Sequence, residues 1–293
     1  MLISTMMVRD EVDIVAANVE HHLAQGIDHL IVTDNGSVDG TVDVLESYAG
    51  SGRLTLLHEP IQKKQQAKVV TRMARQAHRM GADWVIHLDA DEFWVASDRS
   101  TPIPDVLRET PESDGVLVAD RHNLVGQGSM AGKGEEPWSP RMIWKDTESL
   151  AANGNKILGK VAHRSSRFVR VAQGLHDAKG VRPRRKVMTD RLEVLHVPWR
   201  SYGQFYAKTE NSGTAYAANK NPLNLRMGKH LRADYKLLRS GQLEETYRRR
   251  TFSDGEIAEH VQTGRLVRDT WLRDHLERLA AEALRPDLLR AAS

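Results

Sequence analysis

Short apolar segments alternate with amphipathic segments over the first 120 residues, and this alternation constrains the fold more than any other feature of the sequence. Runs of Val, Ile and Leu predict buried strands, and apolar residues spaced three and four apart predict the helices between them. The predicted strands are 2–8, 29–33, 53–58, 84–88 and 115–119, and the predicted helices are 11–25, 40–48 and 63–80. This order is typical of a parallel sheet covered by helices on both faces.

Composition excludes several classes of protein. The chain has 293 residues, of which 40% are hydrophobic and none is cysteine. This suits one large domain, or one domain plus an appendage, and it excludes disulfides, iron–sulfur clusters and a thiol nucleophile. Any metal site must therefore use Asp, Glu and His. The sequence contains no apolar span of about 20 residues, and the apolar start at 1–8 lacks the basic residues of a signal peptide. We therefore expect no transmembrane segment and a cytoplasmic location.

Charge is distributed unevenly along the chain. Residues 1–110 contain 10 Lys and Arg against 17 Asp and Glu, whereas residues 111–293 contain 32 against 22. This asymmetry suggests a cation site in the first part and an anionic partner near the second.

The alternation of strands and helices ends near residue 120. A Gly- and Pro-rich stretch over 126–140 predicts a mobile loop, and alternating basic residues through 156–171 predict one or two strands. A further short strand is predicted over 192–197, after which the pattern becomes helical. The expected divisions of the chain are 1–120, 121–200 and 201–293.

Polar clusters follow three of the predicted strands. Arg9 and Asp10 follow the first strand, residues 34–37 follow the second, and residues 89–92 follow the fourth. Ligands of open α/β sheets bind at the carboxyl ends of the strands. The three clusters therefore predict one binding site at that edge.

The pair Asp89 and Asp91 follows a strongly apolar strand. Side chains two residues apart on a strand point to the same face, so both carboxylates are expected in one cleft. Two anions this close need a cation or a shared proton, and Mg²⁺ or Mn²⁺ with substrate phosphates is a common solution. The alternative is a surface turn after a buried strand.

The segment 34–41 is a turn-rich loop that enters a helix. Asp39 or Thr41 is suited to cap that helix, and Asp34 is placed to accept hydrogen bonds from a base or ribose. The alternative is a capped junction without a ligand. The loop lacks the glycine pattern of dinucleotide sites, and the chain contains no P-loop motif.

Three of these segments resemble a known family. The pattern H-x-x-x-G-x-D-H occurs at His22–His29, D-N-G-S-x-D-G-T at Asp34–Thr41, and D-x-D-E-F at Asp89–Phe93. In order and spacing, residues 7–94 resemble the nucleotide-sugar-binding half of family 2 glycosyltransferases with the GT-A fold. The resemblance extends more loosely to residues 196–208.

The resemblance implies a fold and an activity. The fold would be α/β, a GT-A Rossmann-like and mostly parallel sheet with flanking helices and a helical C-terminal extension. The activity would be transfer of a sugar, with inversion, from a nucleoside-diphosphate donor to an acceptor hydroxyl, with Mn²⁺ or Mg²⁺ as cofactor. The divisions would be a nucleotide-sugar-binding lobe at 1–120, an acceptor-side lobe at 121–200 and the extension at 201–293.

The resemblance also implies donor-binding residues. Arg9 and Asp34 match positions that contact the base and ribose, and Asp39 lies in the same signature. Gln66 and Lys68 stand where such enzymes often place a donor contact, although both also suit the exposed face of a helix.

For the metal, the resemblance implies that Asp89 and Asp91 hold the divalent cation against the donor diphosphate. His196 resembles a later histidine that completes the metal shell or meets a phosphate. A structural role for His196 is the alternative.

Inverting transfer needs one base that removes the proton of the acceptor hydroxyl. The base is expected downstream of the fourth strand, near the cleft. Asp177 is our first candidate and Asp120, at the end of the fifth predicted strand, is the second. His176 is a further candidate, and the loop with Glu135 and Glu136 is placed to close over the acceptor.

Two other functions are consistent with parts of the sequence. A nucleotidyltransferase also joins such a sheet to carboxylate-held Mg²⁺, but residues 6–11 lack the glycines of its loop after the first strand. Basic runs at 182–186 and 248–250 suggest a non-catalytic polyanion binder, but the aromatic residues are not interleaved with them. We therefore expect a small-molecule, carbohydrate or lipid-linked acceptor and no nucleic acid. The sugar, the nucleotide and the oligomeric state are not specified.

Overall fold

Four parallel strands form one half of a central sheet. The computed structural model describes residues 1–60, 65–150, 154–217 and 229–283. The strands are β1 (Leu2–Val8), β2 (His29–Asp34), β3 (Leu54–His58) and β4 (Trp84–Leu88), and the helices between them are α1 (Val15–Ala24), α2 (Thr41–Ala49) and α3 (Gln66–Arg79). They pair in the order β3-β2-β1-β4, and every pairing is parallel. The predicted alternation is confirmed here.

The other half of the sheet is mostly antiparallel. Its strands are β5 (Glu92–Ala96), β6 (Asp114–Val125), β7 (Trp144–Asp146), β8 (Lys160–Arg164), β11 (Arg185–His196) and β12 (Leu266–Arg268). The order continues from β4 through β8, β6 and β7 to β12, while β11 pairs with β5 and in parallel with β6. The sheet is therefore mixed, and the predicted α/β class is confirmed. The strands β9 (Arg170–Val171) and β10 (Ala178–Lys179) form a separate hairpin.

The remaining helices lie mainly in the C-terminal part of the chain. They are α4 (Ile103–Arg108), α5 (Tyr202–Ala217), α6 (Lys229–Arg239), α7 (Leu243–Arg248), α8 (Asp254–Gln262) and α9 (Trp271–Ala283). The predicted capping box is present on α8, where Ser253 and Glu256 bond each other's backbone. Within the described ranges, none of the helices is long and apolar enough to span a bilayer.

Two apolar cores cover the two faces of the sheet. Alternate residues of β1 serve both, because Leu2 and Met6 join the core with α1, α2 and α9, whereas Ile3 joins the core with α3. The helix α9 packs against α1, where Trp271 stacks on His275 and both rings meet His21 edge-on. The carboxyl ends of the parallel strands lie between these two cores and form the polar edge of the sheet.

Several elements differ from the sequence predictions: β6 and β11 are longer than predicted, β7 and α4 were not predicted, and three further differences follow. Strand β5 was not predicted, because its first residue belongs to the acidic segment 89–92; residues 93–96 are nonetheless fully buried. Helix α1 begins at Val15 rather than residue 11, after a turn in which Asp10 has a φ of 50°. The extension from residue 201 is not purely helical, because β12 adds a strand to the sheet.

Candidate active site

A cavity of about 200 Å³ lies where β1 and β2 end, and α5 closes it from one side. Its lining comes from the segment after β1, the start of α3 and one face of α5. The lining residues are Met7, Val8, Arg9, Asp10, Glu11, Asn35, Gln65, Gln66, Gln204, Lys208, Asn211, Ser212 and Ala215. Polar groups that the sequence spreads over 200 residues are therefore brought to one edge of the sheet, as predicted for the strand ends.

Asp89, directly after β4, is held by groups from the sheet and from α3. Its Oδ1 accepts a hydrogen bond from Gln66 Nε2 at 2.9 Å, and its Oδ2 lies 2.6 Å from Lys160 Nζ. Lys160 is only 1% exposed and also contacts Glu92 Oε2 at 3.0 Å and the carbonyl of Gly174 at 3.0 Å. Burial alone would raise the pKa of Asp89, but the charge and hydrogen bond of Lys160, together with the charge of Lys208, lower it.

Asp91 is buried, and its partners come from later in the chain than β4. Lys208 of α5 donates to its Oδ2, and His196 Nε2 lies 3.5 Å from the same oxygen. Burial would raise the pKa of Asp91, but the Lys208 ammonium, the strongest of the charges around it, holds that pKa well below its usual range. Asp91 is therefore an ionised carboxylate at neutral pH.

The pair of Asp91 and His196 offers ligands that suit a divalent cation. His196 Nδ1 donates to Asn123 Oδ1 at 2.8 Å, which leaves the Nε2 lone pair facing the Asp91 carboxylate. Burial lowers the pKa of His196, which favours this neutral form. Across the described residues, no group of three His, Asp or Glu side chains is arranged to hold a metal ion. Mg²⁺ and Mn²⁺ are often held by one or two protein ligands plus water and phosphates, so the pair fits such an ion.

A buried arginine joins the start of α5 to the segment after β1. Arg200 Nη2 donates to Glu11 Oε2 at 2.5 Å, and its Nε donates to Asp13 Oδ2 at 2.7 Å. Lys208 Nζ lies 3.7 Å from the other Glu11 oxygen. Burial raises the pKa of Glu11 despite both cations. This network fixes the wall that α5 gives to the cavity.

The predicted donor-binding residues fall into two groups. Arg9 and Gln66 line the cavity, whereas Asp34, Asp39 and Lys68 are not among its lining in the described part of the chain. The Asp34 carboxylate accepts from the backbone N–H groups of residues 36 and 37 at 2.9 and 3.2 Å. Asp34 therefore shapes the turn after β2.

Asp39 also organises this loop. Its Oδ1 accepts from the backbone and hydroxyl of Thr41 at 3.1 and 2.6 Å, and its Oδ2 contacts Lys133. Asp39 therefore bonds the first N–H of α2, but the N-cap is Gly40, so the predicted cap by Asp39 or Thr41 is wrong. Lys68 lies on the exposed face of α3, in a surface groove with Arg72, Arg75, Arg79 and Arg170.

The three candidate bases lie in two parts of the fold, Asp177 and His176 after a 3₁₀ turn and Asp120 on β6. Asp177 pairs with Lys186 at 2.9 Å and follows a 3₁₀ turn (Gln173–Leu175) that contacts both Gln66 and Lys160. His176 Nδ1 donates to the carbonyl of Gly159 at 2.8 Å, and burial lowers the pKa of His176.

Asp120 is placed less favourably. On β6 its neighbour Arg121 reaches Glu92, and successive strand residues point to opposite faces. Asp120 therefore points away from the two aspartates, and its carboxylate lies 3.9 Å from the exposed Lys156. Glu135 and Glu136 are bonded within their own loop, to the backbone of Gly132 and the hydroxyl of Ser129.

Several residues of the site were not predicted. Lys160, Glu11 and Asn123 carry no local motif that marks them. Lys208 and Arg200 lie in the segment 196–208 of the loose resemblance, so a signal was present but assigned no role.

Comparison with known proteins identifies the family. The model of glycosyltransferase family 92 matches residues 3–209. No curated protein matches the sequence. The match confirms the glycosyltransferase part of the resemblance; kinship with family 2 stays a prediction.

Solved structures resemble the chain only weakly. A crystal structure of S. aureus TarS residues 1–349 in complex with UDP is 14% identical over 83% of this chain and 71% of that chain, with a TM-score of 0.44. The same fragment in complex with UDP-GlcNAc is 12% identical over 86% and 93%, with a TM-score of 0.45. Glucosyl-3-phosphoglycerate synthase from Mycobacterium tuberculosis, in complex with Mn²⁺, UDP and phosphoglyceric acid, is 16% identical over 42% and 43%, with a TM-score of 0.30. These structural likenesses are too weak to support an argument. The family match covers more than two thirds of the sequence, so the chain belongs to glycosyltransferase family 92 and is an enzyme that transfers a sugar.

Proposed function

We propose that the enzyme moves a sugar, with inversion, from a nucleoside-diphosphate donor to an acceptor hydroxyl. One observation carries the proposal: Asp89 and Asp91 stand at the carboxyl end of β4, beside a cavity that Arg9, Gln66 and Lys208 line. Carboxylates and cations in one half-enclosed site suit a diphosphate and its counterion. The match to a glycosyltransferase family agrees with such a donor.

The chain's own cations act on the leaving group. Arg9 lies at the ends of β1 and β2, where its guanidinium donates to the carbonyl of Asn35 at 2.6 Å, and we assign it to the nucleoside of the donor. Lys208, on α5, is 38% exposed, so its ammonium has room to turn from Asp91 to a phosphate. Preformed positive charge stabilises the negative charge that develops on a departing diphosphate. Asp34 and Asp39 support this site by holding the 34–41 loop.

We propose that Asp91 and His196 hold Mn²⁺ or Mg²⁺ together with donor phosphates. Asp89, which the resemblance implied as a further ligand, has its two oxygens bonded to Gln66 and Lys160, so we place it beside the ion. When bound, the ion neutralises charge on the diphosphate. Lys160 keeps Asp89 ionised and in place.

We propose Asp177 as the base that accepts the proton of the acceptor hydroxyl. The support is its position after the turn that contacts both partners of Asp89. Asp177→Asn should leave donor binding intact and reduce turnover by about 10²–10⁴-fold. We expect Asp120→Asn to leave turnover nearly unchanged, since Asp120 points to the other face of β6. If Asp177→Asn turns over normally and Asp120→Asn does not, the base is Asp120.

Thermal unfolding with ligands tests the proposed donor. We expect the melting temperature to rise with UDP, GDP or TDP in the presence of Mn²⁺, and a panel of nucleotide sugars to reveal which one the enzyme hydrolyses. Stabilisation by free nucleoside triphosphates but by no diphosphate would instead indicate a nucleotidyltransferase. Tight DNA or RNA binding without metal would indicate a polyanion binder. The acceptor class and the cytoplasmic location stay predictions.

A further inference from the structure

A groove of about 650 Å³ lies between α3 and strand β9, outside the cavity of the candidate active site. Both of its walls carry cations, which are Lys68, Arg72, Arg75 and Arg79 on α3 and Arg170 on β9. In the described part of the chain, no Asp or Glu is among its lining residues. We call it the basic groove, because it presents charge of one sign from two elements.

The charge of the basic groove is poorly compensated by the protein. Among the described residues, the only carboxylate paired with its cations is Glu59, which lies 3.7 Å from Arg72. Helix α3 itself contains no Asp or Glu, and its cations at 68 and 72 and at 75 and 79 are one turn apart. Like charges at this spacing destabilise a helix, and a cation in the first turn also opposes the helix dipole. A bound anion would relieve this repulsion.

Strand β9 runs alongside α3, so the two walls of the groove have a fixed register. Arg75 Nε donates to the carbonyl of Val169 at 3.0 Å, and the backbone N–H of Val171 donates to the hydroxyl of Thr71 at 2.9 Å. As the strand advances, its partners on α3 move towards the beginning of the helix. The groove therefore has a direction.

That direction leads to the candidate active site. Beyond β9, Gln173 Nε2 donates to Gln66 Oε1 at 2.6 Å, where α3 begins. Gln66 lines the cavity and donates to Asp89, and Lys68, two residues later, lines the groove. The basic groove thus begins beside the two aspartates, on the side of the 3₁₀ turn that precedes Asp177.

The arrangement of charge fits an extended anionic chain. The cations extend over about 17 Å of α3, and arginine binds phosphate and carboxylate groups through paired hydrogen bonds. A bilayer surface is flat, whereas this charge lies in a groove. No aromatic residue is among the lining in the described part of the chain, so bases have no platform on which to stack.

We propose that the basic groove binds the chain of a polyanionic acceptor, one with repeated phosphate or carboxylate groups, and leads its end to the site beside Asp89. This inference rests on the proposed function and specifies the class of its acceptor.

Removal of three groove charges tests the inference. The triple variant Arg72→Gln, Arg79→Gln and Arg170→Gln changes no residue that lines the cavity. We expect its affinity for polyphosphate or polygalacturonate to fall at least about tenfold, and the slope of log affinity against log salt to fall by about three. The melting-temperature shift with UDP and Mn²⁺ should stay as in the wild type. Neutral dextran should bind neither protein.

A matched control removes the same charge from other surfaces. Arg108→Gln, Arg248→Gln and Arg249→Gln replace exposed arginines of α4 and of the end of α7. This control should bind both polymers nearly as the wild type does. Equal losses in the two triple variants would mean that net charge alone attracts the polymers, and would overturn the inference. A wild-type protein that binds neither polymer would overturn it as well.

The choice of polymer identifies the anionic group, because polyphosphate supplies phosphates and polygalacturonate supplies carboxylates. Preference for either one supports the inference. Vesicles of phosphatidylglycerol and phosphatidylcholine that bind through the groove, while both polymers do not, would assign it to a membrane surface instead. Single-stranded DNA that binds through the groove more tightly than both polymers would also overturn the acceptor role.

Donor hydrolysis tests whether the bound chain reaches the reaction site. With Mn²⁺ in excess, the preferred polymer should slow hydrolysis of the nucleotide sugar severalfold in the wild type, because a chain beside Asp89 excludes water. The groove variant should hydrolyse the donor at the wild-type rate and show no such slowing. A polymer that binds through the groove and leaves hydrolysis unchanged would contradict the acceptor role. Failure of UDP, GDP and TDP to stabilise the wild type with Mn²⁺ would instead contradict the proposed function itself.

Discussion

The two aspartates after β4 are two residues apart, yet the regions that hold them differ. The cation beside Asp89 is Lys160, which belongs to the sheet, is almost completely buried and also contacts Glu92 and a carbonyl. The cation beside Asp91 is Lys208, which lies on α5 and is partly exposed to the cavity. The first region is built into the fold, whereas the second is assembled by a helix that joins the site from the C-terminal part of the chain.

This difference assigns the two regions different roles, one in stability and the other in binding and turnover. A buried lysine that bridges two carboxylates cannot leave without exposing uncompensated charge. A lysine at the edge of a cavity is able to exchange one anionic partner for another. We therefore expect the Asp89 region to determine stability and the Asp91 region to determine donor binding and turnover.

The largest expected effect is on the Asp91 side. Asp91→Asn removes the charge that Lys208 and His196 face, so turnover should fall by about 10³-fold or more. The shift in melting temperature produced by UDP with Mn²⁺ should disappear, while the fold, measured by circular dichroism, stays intact. Asp105→Asn on α4, where the carboxylate pairs with the exposed Arg108, is the control. Unchanged metal-dependent binding in Asp91→Asn would remove Asp91 from the mechanism.

Lys160→Met should act mainly on stability. Loss of the ammonium leaves Asp89 and Glu92 without their shared partner, and breaking a buried pair costs about 3–5 kcal/mol of the free energy of unfolding. Urea unfolding measures this loss in the free energy of unfolding. Lys156→Met, which removes an exposed lysine paired with Asp120, should cost about 0–1 kcal/mol. Equal stabilities in the two variants would mean that the Asp89 region is not the rigid one.

The two aspartates and the buried histidines should affect stability in different pH ranges. Burial lowers the pKa of His22 and of His163 from 6.5 to about 4. Between these values the unfolded chain binds more protons than the folded one, so stability is full above pH 6.5 and falls as the pH drops towards 4.

Each histidine contributes at most about 1.4 kcal/mol per pH unit in that window. Asp89 and Asp91, whose pKa values are lowered, stay ionised there, so their contribution is lost only at more acidic pH. Melting temperatures measured from pH 7 to pH 4 check this, and His22→Gln should give a shallower slope than the wild type. An identical slope in that variant would assign the loss to other groups.

Lys208→Met should give the smallest effect. The affinity for UDP should fall about tenfold, because one cation beside the diphosphate is gone. The free energy of unfolding should fall less than in Lys160→Met, since Lys208 is partly exposed. Lys236→Met on the exposed face of α6 is the control for both measurements. A stability loss as large as that of Lys160→Met would erase the contrast between the two regions.

The sequence by itself determined the first half of the sheet, because the periods of strands and helices depend on neighbouring residues. It also placed Asp89 and Asp91 at a strand end and identified the capping box at Ser253 and Glu256, which needs only residues three apart. Strand β5 was not predicted, because its start overlaps the acidic motif.

Only the tertiary structure decided which groups meet these aspartates. Lys160 is 71 residues from Asp89, Lys208 is 117 from Asp91, and Arg200 is 189 from Glu11. No local pattern encodes such pairs, because a lysine has the same appearance in sequence whether it is solvated or buried against a carboxylate. Their partners follow from the order in which strands join the sheet and from the docking of α5, which depend on the burial of apolar surface over the whole chain.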